Sequence, residues 1–118
     1  MDTFKVIVAG GRDFSDFLLL ERKLDHLLQN KTNIEIVSGG AMGADRLGER
    51  YAKERGYKLE IMKANWDDYG RSAGPRRNED MARYAEACVC FWDGVSSGTK
   101  NMIVTARRHQ LKLAIVPY

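Results

Sequence analysis

Long hydrophobic runs are missing from this sequence. No apolar segment approaches the roughly 20 residues that a membrane-spanning helix needs, and the segment Met1–Lys5 leads directly into a strand pattern. A signal peptide would instead begin with basic residues and continue with an apolar stretch. We therefore expect no membrane partner and a cytoplasmic location, which is the host cytoplasm if a phage encodes the protein.

Cysteine is nearly absent as well. The chain of 118 residues has two, Cys88 and Cys90, and their spacing places both on one face of a strand. Two thiols so close along a strand are badly placed to form a disulfide. The two histidines, His26 and His109, fall in distant helical segments, so no metal site is expected. The pattern favours two buried, reduced thiols.

Extremes of composition and charge are missing too. A hydrophobic fraction of 44% and a formal net charge of +3 are typical of a globular protein rather than a disordered chain. The length suits one domain over residues 1–118. Basic residues gather between Arg71 and Lys112, which suits an anionic ligand. This balance is too mild to establish nucleic-acid binding, so a nucleic-acid partner stays open.

What the chain does have is a regular alternation of strand and helix patterns. These patterns predict strands at residues 5–9, 34–37, 59–62, 87–91 and 113–116, and helices at 16–30 and 44–55. A third helix is expected to begin at Pro75, and Ser96 or Ser97 is expected to cap a fourth. Strands joined by helices pair in parallel, so we predict an α/β fold, a doubly wound Rossmann-like domain with a mostly parallel five-stranded sheet.

The loops after the first four strands carry the residues that predict a function. In doubly wound sheets, ligands bind beyond the carboxyl ends of the strands. Glycine lets backbone amides approach a ligand closely, and the free N–H groups at a helix start favour an anion. The candidate ligand-binding residues are Gly10, Gly11, Arg12, Ser38, Gly39, Gly40, Gly43, Asp45, Trp66, Arg71, Arg77, Asn78, Trp92, Ser96, Ser97, Gly98 and Thr99.

A phosphate is the natural occupant of this edge of the sheet. We expect it against the amides of Gly39–Gly40 and of Ser97–Thr99. Tight turns alone would explain one glycine-rich loop, but four such loops at one edge favour binding. Trp66 and Trp92 either stack on a base or cover the core, and Arg77, at a helix start, is the strongest basic candidate.

Two common phosphate motifs are excluded. The first loop is not G-x-G-x-x-G, and the second strand ends in Ser38 rather than the acidic residue that holds a ribose in NAD enzymes. The segment from Gly94 to Lys100 has the wrong spacing and order for a Walker loop. Hydride transfer and P-loop hydrolysis are therefore not expected.

The four loops together resemble a known family. Their sequences, Gly10–Phe14, Ser38–Asp45, Gly74–Met81 and Trp92–Thr99, are similar to the YspA-like branch of the SLOG superfamily, which includes DprA and the LOG phosphoribohydrolases. The resemblance spans nearly the whole chain. It implies a Rossmann-like sheet that binds a nucleotide or another phosphate-containing, nucleotide-derived ligand, with no cofactor required.

The resemblance also bears on catalysis. LOG enzymes cleave the N-glycosidic bond of a nucleoside monophosphate, and their signature places an arginine four residues before a methionine, which Arg77 and Met81 match. The position of their catalytic glutamate is Met102 in this chain. If the chain cleaves such bonds another acid must serve, and Asp45 and Asp93 are the candidates nearest the edge. Both also have structural interpretations, as a helix-dipole partner and as a turn residue.

Three functions stay open on this pattern. The leading one is a nucleotide-binding protein that senses or sequesters a nucleotide signal, because the loop set is complete and the glutamate is missing. The second is a nucleotide N-glycosidase. The third is DprA-like binding of single-stranded nucleic acid, which needs an extended basic surface that the sequence does not display. Assembly into a homo-oligomer is also open.

Overall fold

The structure is a computed structural model that describes residues 2–118. Its strands are β1 (Phe4–Gly10), β2 (Ile34–Ser38), β3 (Lys58–Ile61), β4 (Ala87–Trp92) and β5 (Lys112–Pro117). Its α-helices are α1 (Phe17–Leu28), α2 (Ala44–Arg55), α3 (Trp66–Tyr69), α4 (Ala73–Tyr84) and α5 (Ser97–Arg108). Among these residues no helix combines the length and the apolar character that crossing a bilayer requires.

The strands form one sheet in the order β3-β2-β1-β4-β5. Every neighbouring pair is parallel, and the central strand β1 pairs Val6 with Ile36 of β2 and Val8 with Val89 of β4. The chain builds β2 and β3 on one side of β1 and then returns to build β4 and β5 on the other side. This doubly wound α/β sheet confirms the predicted fold class, and its topological switch point lies between β1 and β4.

Helices cover both faces of the sheet. Because side chains alternate along β1, Val8 faces the apolar cluster under α1 and α2, where Leu20 and Tyr51 are fully buried. Ile7 faces the second cluster, which contains Met81 from α4 and Met102 from α5. These two cores hold α1, α2, α4 and α5 in fixed positions relative to the carboxyl edge of the sheet.

The ends of α1 and α2 follow their sequence signals. Asp16 precedes α1, and its carboxylate accepts a hydrogen bond from the Leu19 N–H at 3.0 Å. Gly56 ends α2 in the left-handed conformation, with φ of 70°, which agrees with the predicted helix end at residue 55. The predicted boundary of β3 is one residue late, since the strand begins at Lys58 rather than Leu59.

The predicted start of α4 is wrong by two residues. The segment before Pro75 holds α3 and a 3-10 turn, Gly70–Ser72, that runs directly into α4 at Ala73. Asn65 starts this segment, because its side chain accepts the Asp68 N–H at 3.2 Å. Pro75 is therefore the third helical residue, a position that tolerates proline because the first amides of a helix have no intrahelical partner.

The predicted cap of α5 is correct in position but wrong in chemistry. Ser96 is the N-cap residue, yet its side chain makes no capping hydrogen bond to the backbone. The carboxylate of Asp93 accepts the N–H groups of Val95 and Ser96 at 2.9 and 2.8 Å instead. Asp93 thus orders the loop that leads into α5.

Both cysteines lie where the C-x-C pattern placed them. Cys88 and Cys90 are free, fully buried and on the α4–α5 face of β4. Their sulfur atoms are 3.5 Å apart, and the contact with Cys90 together with burial raises the pKa of Cys88. The prediction that both thiols are buried is confirmed, and neither cysteine lines the cleft described below.

Candidate functional site

A cleft opens at the carboxyl edge of the sheet, over the switch point between β1 and β4. Its larger part, which we call the main compartment, has a volume of about 730 Å³. It brings together twelve of the residues that the sequence predicted to bind a ligand. These are Gly10, Gly11, Arg12, Asp45, Trp66, Arg71, Arg77, Asn78, Ser96, Ser97, Gly98 and Thr99. Asp93, the second candidate acid, also lines this compartment.

A smaller side compartment of about 330 Å³ adjoins the main one. Gly39 and Gly40 line it, and Arg12, Trp66 and Arg77 form walls of both compartments. Three predicted residues, Ser38, Gly43 and Trp92, line neither compartment. These three act on the cleft through the loops that they hold in place.

Arg77 is held across the cleft by two hydrogen bonds. It lies in α4, and its Nη1 donates to the carbonyl oxygen of Gly39 while its Nε donates to Oδ1 of Asn78 at 3.1 Å. A Cβ at position 39 would run into the guanidinium, so this approach requires glycine there. Burial lowers the pKa of Arg77, and the nearby Asp45 carboxylate opposes that shift. Within residues 2–118 the Nη2 amino group has no hydrogen-bond partner.

Asp45 is a nearly buried acid in the first turn of α2, with 5% of its surface exposed. Its Oδ2 accepts the N–H of Ala41 at 3.2 Å. Burial raises the pKa of Asp45 to about 6, although the Ala41 amide and the charge of Arg77 act in the opposite direction and Glu49 adds to the increase. The cleft therefore contains a carboxyl group that exchanges its proton near neutral pH.

Two backbone amides of the loop after β2 donate hydrogen bonds to side chains of the protein itself. The hydroxyl of Ser38 is fully buried, donates to the Glu49 carboxylate at 2.7 Å and accepts the N–H of Gly40 at 3.1 Å. The Ala41 N–H is taken by Asp45. The amides of Gly40 and Ala41 therefore already satisfy buried acceptors of the protein, and the expected phosphate contact at Gly39–Gly40 stays a prediction.

The start of α5 presents free donors instead. Among the described residues, no acceptor takes the N–H groups of Ser97, Gly98 and Thr99, the first three residues of the helix. The indole N–H of Trp92 donates to the Ser96 carbonyl at 3.1 Å, which fixes the loop before them. The hydrogen bonds from Ser96 and Val95 lower the pKa of Asp93, so this acid stays ionised as a structural acceptor.

The loop after β1 packs tightly against the start of α2. The Gly11 carbonyl accepts the Ala44 N–H at 3.2 Å, and a Cβ at Gly43, which has φ of 79°, would collide with that same carbonyl. Glycine at position 43 thus serves the close approach of two loops. Asp13 accepts a hydrogen bond from the Tyr118 hydroxyl at 2.6 Å, which fixes the far end of the loop.

Comparison with known proteins identifies the family. The family model of the YspA, cpYpsA-related SLOG family matches residues 4–69, which is more than half of the chain. The chain belongs to this SLOG family. A curated relative, the Gene 61 protein of Mycobacterium phage D29, is 32% identical to this SLOG protein over 111 residues, which cover 88% of this chain and 89% of that protein. The resemblance drawn from the loop motifs is confirmed.

Solved structures of DprA are similar to this SLOG protein in fold. DprA from Streptococcus pneumoniae superposes with a TM-score of 0.78 at 21% identity and covers 98% of this chain and 51% of its own. DprA from Helicobacter pylori, whose structure concerns its single-stranded DNA binding mode, has a TM-score of 0.71 at 17% identity, with 98% and 66% covered. This chain thus spans about half to two thirds of those proteins, and the likeness establishes the Rossmann-like fold.

Sequence reasoning missed three polar side chains at the cleft of this SLOG protein. Asp13 and Asn101 line the main compartment and Lys63 lines the side compartment. Asn101 accepts a hydrogen bond from Asn78 at 2.8 Å, which ties α5 to α4. Asp13 and Lys63 follow β1 and β3, so the carboxyl-edge rule already pointed to their loops. Asn101 carried no such signal, because it lies inside a helix.

Proposed function

We propose that this SLOG protein binds a nucleotide or a nucleotide-derived molecule in the main compartment and thereby senses or sequesters a nucleotide signal. The phosphate lies between Arg77 and the first amides of α5. Family membership and the DprA-like fold support nucleotide or nucleic-acid binding at a coarse level. Such binding needs no cofactor. We place the protein in the cytoplasm, which is the host cytoplasm if a phage encodes it, as a phage encodes the D29 relative.

The orientation of Arg77 carries the proposal. Two hydrogen bonds to Gly39 and Asn78 fix the guanidinium plane, and Arg77, whose other amino group has no partner among residues 2–118, lines the cleft. A guanidinium fixed in this way has already lost its conformational entropy, so it binds a phosphate oxygen at little further cost. The unpaired amides at Ser97–Thr99 add a helix N-terminus to the same compartment.

The remaining lining suits the sugar and base of a nucleotide. The carboxylates of Asp13 and Asp45 and the amide of Asn101 are acceptors for ribose hydroxyl groups. Trp66 lines the compartment with 51% of its surface exposed, and an exposed indole beside arginine side chains is a platform for a base. A compartment with both signs of charge fits a ligand that has a phosphate and several hydroxyl groups.

N-glycosidic cleavage is the second candidate function, and Asp45 is the observation that favours it. Its carboxyl group lines the main compartment with a pKa of about 6, which suits an acid that protonates a departing base near neutral pH. Water would add to the sugar carbon as the bond to the base nitrogen breaks. Against it stands Met102, which is buried at the position of the LOG glutamate and can neither donate a proton nor stabilise positive charge.

A calorimetric screen tests the proposed function. Any small molecule that co-purifies is first identified by mass spectrometry and removed, and the protein is then titrated with AMP, GMP, CMP, UMP and the four matching nucleosides. We expect binding of at least one monophosphate and at least about tenfold weaker binding of its nucleoside, because the nucleoside lacks the phosphate that Arg77 holds. Equal affinity for both would overturn the proposal, as would no binding at all.

The same screen separates single nucleotides from nucleic acid. A ten-residue single-stranded DNA is titrated beside the monophosphates at two salt concentrations. Binding of the oligonucleotide alone, with a steep salt dependence, would replace nucleotide sensing with binding of single-stranded DNA, the ligand in the structural study of the Helicobacter pylori neighbour. Oligomeric state is measured by light scattering in the same samples, with and without ligand.

A further inference from the structure

The two compartments of the cleft differ in charge. Arg12, Lys63 and Arg77 line the side compartment, and no carboxylate is among its lining residues in the described part of the chain. The main compartment balances three arginines with three aspartates. A pocket whose charged lining residues are all cations favours a group with concentrated negative charge, whereas the main compartment suits a group of mixed polarity.

We propose that the side compartment binds a second phosphate of the ligand, so that the ligand class is a nucleotide with two phosphate groups. This inference rests on the proposed function, because it takes the first phosphate and the nucleoside to lie in the main compartment. Arg12 and Arg77 line both compartments, so in this arrangement their side chains lie between the two phosphates. Lys63 contacts the second phosphate alone, since it lines the side compartment only.

The volumes support a ligand larger than a nucleoside monophosphate. Pockets that hold drug-sized ligands measure about 300–1,000 Å³. The main compartment, at about 730 Å³, holds a complete mononucleotide, and the adjoining 330 Å³ remains for a further group. The shared walls at Arg12, Ala41, Trp66 and Arg77 make the two spaces neighbours, so one molecule can occupy both.

Lys63 is the side chain on which the side compartment depends. Its stem runs along the backbone of Gly40, where a Cβ would come within 3.3 Å of the lysine Cγ. The backbone amides of Gly40 and Ala41 already bond to Ser38 and Asp45, so they cannot supply donors for a phosphate. Among residues 2–118 no carboxylate forms an ion pair with Lys63, which leaves its ammonium group for a ligand.

The experiment compares nucleotides with one and two phosphates on variants of two exposed lysines. For the base that binds best in the monophosphate screen, the probes are the 5′-monophosphate, the 5′-diphosphate, the 3′,5′-bisphosphate and the 5′-phosphorylated dinucleotide. Each is titrated into the wild type, Lys63→Met and Lys58→Met at constant ionic strength. Lys58 begins the same strand that precedes Lys63, is exposed and lies outside both compartments, so it controls for the loss of one charge.

We expect at least one probe with two phosphates to bind the wild type at least about tenfold more tightly than the monophosphate. Lys63→Met weakens that probe by about fivefold or more, the size of one charged contact at a partly exposed site, and weakens the monophosphate by about twofold or less. Lys58→Met changes both by less than about twofold. Circular dichroism of each variant verifies that the fold is intact.

Two outcomes would overturn the inference while leaving the proposed function in place. In the first, the monophosphate binds and needs Arg77, yet no probe with a second phosphate binds more tightly. In the second, Lys63→Met weakens the monophosphate as much as the larger probes, or Lys58→Met has the same selective effect. Failure of every nucleotide to bind would instead remove the proposed function itself.

Discussion

Arg77 donates a hydrogen bond from Nη1 to the carbonyl oxygen of Gly39, and this contact joins α4 to the loop after β2. The two residues are 38 positions apart in the chain and come from opposite sides of the topological switch. Because Asn78 holds the Nε of the same guanidinium, Arg77 has a defined orientation before any ligand arrives. The cleft is thus built around a fixed positive charge.

Replacement of Arg77 by alanine should weaken nucleotide binding by about ten- to a hundredfold. The variant loses a charge-assisted contact to phosphate, which is worth about 1.5–3 kcal/mol. Arg76→Ala is the matched control, since Arg76 stacks on Tyr69, with its guanidinium 4.3 Å from the ring centre, and lines neither compartment. Calorimetry that finds equal losses in both variants would remove Arg77 from the binding site.

The stability of the wild type should fall relative to Asp45→Asn as the pH rises from 4 to 7. The pKa of Asp45 is about 6 in the folded state, against an ordinary pKa of 3.8. At pH values between these two, the folded state binds more protons than the unfolded state. Increasing pH then favours unfolding, by on the order of 2–3 kcal/mol for a pKa change of this size. Asparagine retains an oxygen to accept the Ala41 N–H but does not ionise.

Urea denaturation at several pH values measures this effect, and Asp93 provides a control with the opposite sign. Hydrogen bonds from Ser96 and Val95 lower the pKa of Asp93 in the folded state. The ionised carboxylate therefore stabilises the fold at pH values above the unfolded-state pKa, and this contribution is lost in acid. The wild type should therefore gain stability over Asp93→Asn as the pH rises through the acidic range. A constant difference between the wild type and Asp45→Asn from pH 4 to 7 would contradict the assignment of a raised pKa.

Ligand binding should change the fluorescence of Trp66 and leave that of Trp92 largely unaffected. Trp66 lines both compartments and is half exposed, whereas Trp92 lines neither and is held by its bond to the Ser96 carbonyl. The fluorescence change should persist in Trp92→Phe and disappear in Trp66→Phe. If Trp92→Phe loses the signal instead, the ligand lies deeper against β4 than we propose.

AMP should not be cleaved at a rate typical of an enzyme. In the related LOG signature a glutamate serves the cleavage, and carboxylates generally stabilise oxocarbenium-like transition states, but Met102 occupies that position here. Long incubation at high protein concentration, followed by chromatography for adenine and ribose 5-phosphate, provides the measurement, with a LOG enzyme as the positive control. Turnover of about one per second would favour the second candidate function, and its loss in Asp45→Asn would identify the acid.

Much of the fold could be predicted because its signals are local. The apolar runs of β1 and β4 and the helical spacing in α1 and α2 each lie within a dozen residues, and parallel pairing follows from their alternation. The segment before α4 was not predictable in this way. Its helix and 3-10 turn contain no buried residue, so no apolar period marks them. The side-chain oxygen of Asn65, which accepts the Asp68 N–H, determines where they begin.

The candidate site was predictable at the level of loops but not of individual donors. The carboxyl-edge rule located the cleft, and glycine content identified its walls. Whether a particular amide faces a ligand depends on which buried acceptors need it, and these come from distant positions such as Glu49, which engages Ser38. The same limit applies to Gly43, whose requirement for glycine arises from the Gly11 carbonyl across the fold.

The winding of the chain across the switch point makes this protein suitable for division into two pieces. Residues before Gly70 form three strands and the Gly39 loop, while those after it supply Arg77 and α5. Gly70 itself is exposed, with no atom near its missing Cβ, so a break there removes no buried side chain from the core. Neither piece contains a complete cleft, so a nucleotide that contacts both pieces would stabilise their association. A SLOG domain cut at this glycine is therefore the natural starting point for a split reporter whose reassembly depends on its ligand.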